Sequence, residues 1–228
     1  MIDRIISATR ASKQEDINKL PLVRSVEERL FGGEYDLVTN NTRGLPAVYN
    51  EALEVWKRQD ARWLVFVHDD VYIDDAHVFT KLEEAHQQHG FNIIGLAGCK
   101  DPVIKSHNLW HVMAPRDKLF GYAAHPAGQP GQIQVSSFGP SPARVALIDG
   151  LFIAVHVPTV TKTNWKFNEN YTFHHYDLAS CIDANRKRLK IGVAPINVIH
   201  SSPGLMSVND TIWSKSNDQF LKEYASGA

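Results

Sequence analysis

The stretch Trp63-Leu64-Val65-Phe66-Val67-His68-Asp69-Asp70 decides how the chain folds. Five consecutive apolar residues, two of them β-branched, read as a strand buried on both faces, because a half-exposed strand would alternate apolar with polar. Two adjacent carboxylates close it, at the end where an open α/β sheet binds its ligands. Working outward, Ile2 to Thr9 is a short apolar run ending in small polar residues, Tyr35 to Val38 a second strand ending at Thr39-Asn40-Asn41-Thr42, and Asn92 to Gly98 a fourth. Between them lie helical spacings. Residues 14–31 carry Ile17, Leu20, Val23, Val26 and Leu30, interrupted by Pro21. A helix through Ala47, Val48, Ala52, Leu53 and Trp56 has Pro46 in its first turn, and Asp74-Asp75 caps a helix running towards Gly90. Strands alternating with helices imply an α/β fold with a mostly parallel central sheet flanked by helices.

The second half adds a strand from Val145 to Val157 kinked at Asp149-Gly150, a helix over 174–190, a strand from Ile191 to Ile199 and a closing helix over 209–225. Between the halves, residues 102–142 hold six of the eleven prolines and four of the fourteen glycines. This is too long for a simple connection and reads as a loop-rich functional insertion. With 228 residues, the expectation is one domain over 1–228, with the insertion at 102–142 and a C-terminal lid and helix over 205–228.

Composition excludes several classes. Lys and Arg number 24 against 25 Asp and Glu, which argues against a nucleic-acid partner gripped by a basic surface. The longest apolar runs, 63–67 and 151–155, have five residues each. A membrane span takes about 20 and a signal-peptide core about 7–15, so no integral membrane segment is expected. Two cysteines, Cys99 and Cys181, form no disulfide framework, and a cytoplasmic location is the simplest. The basic run Arg186-Lys187-Arg188 leaves peripheral association with the inner membrane face open. No Gly-x-Gly-x-x-Gly follows the first strand, which removes a dinucleotide-binding reading.

Three positions carry chemistry. In His68-Asp69-Asp70, paired carboxylates at a strand end repel one another unless a cation or donors compensate. The two-residue period places His68 and Asp70 on one side, which makes Asp70 the metal ligand, His68 its neighbour and Asp69 a support. Asp177, in the first turn of the 174–190 helix, either compensates the helix dipole or serves as a general base, and His174 three residues earlier is placed to tune it. His200 ends the last strand, where an imidazole can join carboxylates around Mn²⁺, and the turn after it, Ser201 to Gly204, is placed to fold over a ligand as a lid.

Taken together these pieces resemble the GT-A-fold glycosyltransferases of the family 2-like group, with His-Asp-Asp in place of the usual Asp-x-Asp. The matching segments are Gly44 to Ala52, Leu64 to Val71, Asp149 to Phe152, Phe173 to Cys181, and Ile191 to Val193 leading to His200. Their order follows the family from about residue 2 to 204. The resemblance implies a nucleoside-diphosphate sugar as donor, a glycan or lipid-linked acceptor, and a role in polysaccharide or lipid-linked glycan synthesis. It implies Mn²⁺ or Mg²⁺ on Asp70 and His200, and Asp177 as the base of an inverting transfer assisted by His174. It also places Thr9, Asn40, Asn50, His68 and Asp69 on the nucleotide-sugar side. Tyr176 stands where the family has the Glu of a Glu-Asp pair. Two rivals remain at this stage. His68, Asp70 and His200 spell the two-His-one-carboxylate set of Fe(II) and 2-oxoglutarate oxygenases, which use an all-β double sheet. A catalytically silent nucleotide-binding domain would keep the fold without the chemistry.

Overall fold

The computed structural model describes residues 2–30, 34–129, 131–202 and 211–225. Its larger sheet has seven strands in the order Tyr35–Val38, Ile2–Ala8, Ala61–Val67, Phe152–His156, Ile93–Gly95, Ile191–Val193, Ala143–Val145. Five run in one direction, while Phe152–His156 and Ala143–Val145 pair antiparallel to their neighbours. The mostly parallel sheet expected from the alternation is therefore present.

The Ala61–Val67 strand is apolar throughout because each face meets a different core. Leu64 and Phe66 pack with Val48, Tyr49 and Leu53 of the helix Leu45–Lys57. Trp63, Val65 and Val67 pack on the other side with Leu22 and Val26 of the helix Pro21–Glu28 and with Val78 and Leu82 of the helix Val78–His89. Each of these strand residues is fully buried. At about 1.5–3 kcal/mol per buried large apolar side chain, this strand alone is a major part of the driving force.

A six-stranded second sheet takes Leu147–Ile148, Ala97–Cys99, Leu119–Pro126, Val198–His200 and Val71–Ile73 in order, with Ile133–Gly139 paired to Leu119–Pro126. The chain crosses between sheets inside three runs that read as single strands. Residues 92–98 leave the first sheet after Gly95 and enter the second at Ala97. The 191–199 run divides likewise, and the 145–157 run passes into the second sheet at Leu147–Ile148 and back into the first at Phe152. The crossing needs glycine at 98, where a Cβ would lie 2.0 Å from the Leu147 carbonyl oxygen.

Several boundaries differ from expectation. The segment 102–142 is only partly loop, since Leu119–Pro126 and Ile133–Gly139 form a hairpin of the second sheet. Asp74-Asp75 does not cap directly: the helix starts at Val78, and Asp75 instead accepts the His77 N–H at 3.1 Å and Lys81 Nζ at 2.6 Å. The helix over 174–190 is Tyr176–Arg186. Of the C-terminal 205–228 region, the helix Thr211–Tyr224 is described, whereas 203–210, including the end of the expected lid turn, lie outside the described residues. No helix among the described residues is long and apolar enough to cross a membrane.

Candidate active site

The end of the Ala61–Val67 strand builds the first wall. His68 donates its backbone N–H to Leu151 at 3.1 Å, and the chain turns through Asp69 and Asp70 into the strand Val71–Ile73. That strand pairs antiparallel with Val198–His200, Val71 opposite His200, which carries the His200 side chain to Asp70. His200 Nε2 lies 3.3 Å from Asp70 Oδ1. One ligand-type atom from each of His68, Asp70 and His200 falls within 4.8 Å of the other two. Residues 130 positions apart are thus gathered by strand pairing alone.

The electrostatics of the trio suit a cation. Burial pushes the Asp70 carboxyl up, but the neighbouring His200 outweighs it and holds Asp70 below its ordinary range. Burial also works against charge on His200, yet the Asp70 carboxylate raises its imidazole above the usual value. Burial lowers His68, which keeps that ring neutral and able to offer a lone pair. Asp70 Oδ1 is buried and makes no well-aligned hydrogen bond, its polar neighbour being His200 Nε2 at 3.3 Å. Two imidazole nitrogens and a carboxylate oxygen are a donor set that suits a borderline divalent ion.

The opposite wall comes from Asp149-Gly150 and the start of the helix Tyr176–Arg186. Asp177 Oδ2 accepts the Gly150 N–H at 3.0 Å. Burial, and then the charge of Asp149, push the Asp177 carboxyl up to about 7. Asp149 accepts Trp110 Nε1–H at 2.6 Å and the Leu151 N–H at 3.0 Å, tying the 102–118 loop to the site. Both walls line one cavity of about 490 Å³, which also takes in Trp110, Phe138, Phe173 and Trp213.

The cavity brings together His68, Asp70, His174, Asp177 and His200 of the residues expected from sequence. His174 does not share a helix face with Asp177, because the helix begins at Tyr176 after His175 takes a left-handed conformation, φ 63°. The other four expected residues do not line this cavity. Asn50 is committed to the fold: its amide donates to Phe167 O at 2.9 Å and Glu169 Oε1 at 2.7 Å, and its oxygen accepts the Phe167 N–H at 2.9 Å. Thr9 Oγ1 accepts the Ala11 N–H at 3.1 Å, and Asn40, at φ 51°, donates its N–H to Ala11 O at 2.9 Å. Both do stand at strand ends, as expected. The Asp69 carbonyl accepts the Leu22 N–H at 3.2 Å. Sequence reasoning passed over Asp149 as a site residue, although a carboxylate interrupting two apolar runs was a usable signal.

The model of a family described as "Glycosyltransferase like family" matches residues 32–224. The chain belongs to this glycosyltransferase-like family. Among solved structures, A197 from STIV superposes with a TM-score of 0.54 at 13% identity, over 89% of this chain and 86% of that one. S. aureus TarS 1-349 matches at a TM-score of 0.45 and 12% identity, over 99% of this chain and 71% of that one. The same fragment in complex with UDP gives 0.46 and 13% over the same shares. At such identities the likeness to A197 concerns the fold alone. No curated protein matches the chain. Membership in the glycosyltransferase-like family, with a helix-flanked α/β sheet, overturns the all-β scaffold that the oxygenase reading required, although the two-His-one-carboxylate set itself is assembled.

Proposed function

We propose that the protein transfers a sugar from a nucleoside-diphosphate sugar to a hydroxyl of a glycan or lipid-linked acceptor, with inversion. The observation that carries this is a single cavity in which a nitrogen–oxygen–nitrogen cluster occupies one wall and a carboxyl with a pKa of about 7 the other. Glycosyl transfer needs these two features: charge stabilisation for the departing diphosphate, and a base for the acceptor hydroxyl.

Asp70, His200 and His68 would hold Mn²⁺ or Mg²⁺, which supplies positive charge against the leaving phosphate oxygens. Asp177 takes the proton. Its pKa near the working pH matches a general base better than an ordinary aspartate would, and the Gly150 N–H at 3.0 Å fixes the direction of its carboxylate. A displacement from the face opposite the leaving group inverts the anomeric centre. The 102–142 segment shapes the acceptor side through Trp110 and Phe138, and the chain works as one unit. Thr9 and Asn40, on neighbouring strand ends, and Asp69 are left for the nucleotide, outside the cavity.

Asp177→Asn keeps size and removes the base, so transfer to a defined acceptor falls about 10²–10⁴-fold with the fold intact. A wild-type rate in that variant would remove Asp177 from the mechanism.

A further inference from the structure

Tyr176, in the position where Glu is expected by resemblance, is fully enclosed between Tyr49, Phe167 and His68. Its hydroxyl oxygen lies 2.7 Å from the Gly150 carbonyl oxygen and 3.2 Å from His68 Nε2, with the Tyr49 hydroxyl as a further polar neighbour. A phenol has one hydrogen to donate and a carbonyl has none. The 2.7 Å contact is therefore a bond only if the Tyr176 hydrogen lies in it. That hydrogen is then spent, and the hydroxyl oxygen can only accept from His68. The reverse assignment, Tyr176 donating to His68, would set two oxygen lone pairs against each other at 2.7 Å in a buried site. The close approach also depends on residue 150 lacking a side chain, since a Cβ there would lie 2.9 Å from the Tyr176 hydroxyl.

We propose that Tyr176 is a positioning residue that holds neutral His68 as its Nε2–H tautomer, so that Nδ1 is the nitrogen His68 offers to a divalent cation. This rests on the reading of His68, Asp70 and His200 as the cation site. A hydrogen-bond partner on the second ring nitrogen is how proteins fix the tautomer and raise the basicity of a ligating imidazole. The Gly150 peptide then serves both walls of the cavity, its carbonyl setting Tyr176 and its N–H directing Asp177. A glutamate at 176 would instead receive the His68 proton directly and bring a further negative charge beside Asp177; tyrosine fixes the same tautomer without it.

The test is a two-bond ¹⁵N–¹H spectrum of histidine-labelled protein, free of metal, at about pH 8, where an ordinary imidazole is neutral. The His68 signals are assigned by their loss in His68→Gln. The expected result is an Nε2–H pattern in the wild type and a shift towards Nδ1–H in Tyr176→Phe. Mn²⁺ affinity, read by titration calorimetry, should fall about 10–100-fold in that variant. An Nδ1–H pattern in the wild type overturns the proposal, and that measurement stands even if Tyr176→Phe does not fold. Unchanged tautomer and Mn²⁺ affinity in a folded Tyr176→Phe overturn the role of Tyr176 alone. An Nε2–H wild type that binds no Mn²⁺ overturns the cation site and the positioning role with it.

Discussion

At the scale of single residues, the account turns on Asp177. Its folded pKa is raised to about 7 from 3.8, chiefly by burial and then by Asp149, so the protonated form is favoured in the fold. The corresponding stability is complete below about pH 4 and is lost as pH rises through about 7. With Asp177 as the proposed base, activity runs the other way, because the base must be deprotonated: kcat/KM is expected to rise through about pH 7. Asp149→Asn removes a neighbouring charge and should move that limb to lower pH, while Asp177→Asn should flatten both the activity limb and the fall in melting temperature over the same range. An unmoved limb in Asp149→Asn would separate the two carboxylates. Asn50 makes a contrasting case. With three hydrogen bonds inside the protein and 6% exposure, Asn50→Ala should cost about 1–3 kcal/mol in denaturant unfolding and leave donor affinity unchanged.

At the scale of elements, the site is assembled by short strands that leave one sheet for another. Tyr35–Val38 was legible to the residue, because a short segment closing on Leu37-Val38 is bounded at once by Thr39-Asn40-Asn41. The crossings were not legible: Ile93–Gly95 and Ala97–Cys99 are equally apolar, and only the approach of Leu147 and Ile148 to Gly98 and Gly95 marks the change. The hairpin within 119–139 was hidden by its flanking prolines and glycines, and by Ile133 and Val135, which stay half exposed and show no alternation into a core. The true start of the Tyr176 helix was hidden because a left-handed histidine, not glycine or asparagine, precedes it. His174 therefore lies outside the helix that carries Asp177. The closing helix docks through Asn217, whose oxygen accepts both nitrogens of Asn108 and whose amide donates to Ser106 O at 2.8 Å. Asn217→Ala should therefore loosen the 106–111 segment that carries Trp110. The expected outcome is faster amide exchange there and a raised acceptor KM with little change in Mn²⁺ affinity. Unaltered exchange would show that the helix does not brace the acceptor wall.

At the scale of the whole molecule, the near balance of charge and the fold belong together. With 24 basic and 25 acidic side chains, the protein has no net positive charge to attract a diphosphate. In the proposed function, the cluster of His68, Asp70 and His200 would handle one through a cation in a single cavity. The sheet order explains why these residues meet, since the carboxyl end of Ala61–Val67 and the pairing of Val71–Ile73 with Val198–His200 converge there. The central claim is that a nucleoside diphosphate binds this chain through a divalent cation. The most direct test is the melting temperature of wild type and Asp70→Asn with UDP, GDP, CDP, ADP and dTDP, each with and without Mn²⁺. The account predicts that at least one nucleotide raises the wild-type transition only with Mn²⁺, by the equivalent of about 2.7 kcal/mol at a hundredfold excess over Kd, and that Asp70→Asn abolishes the shift. No shift with any of the five, or the same shift without Mn²⁺, would contradict it.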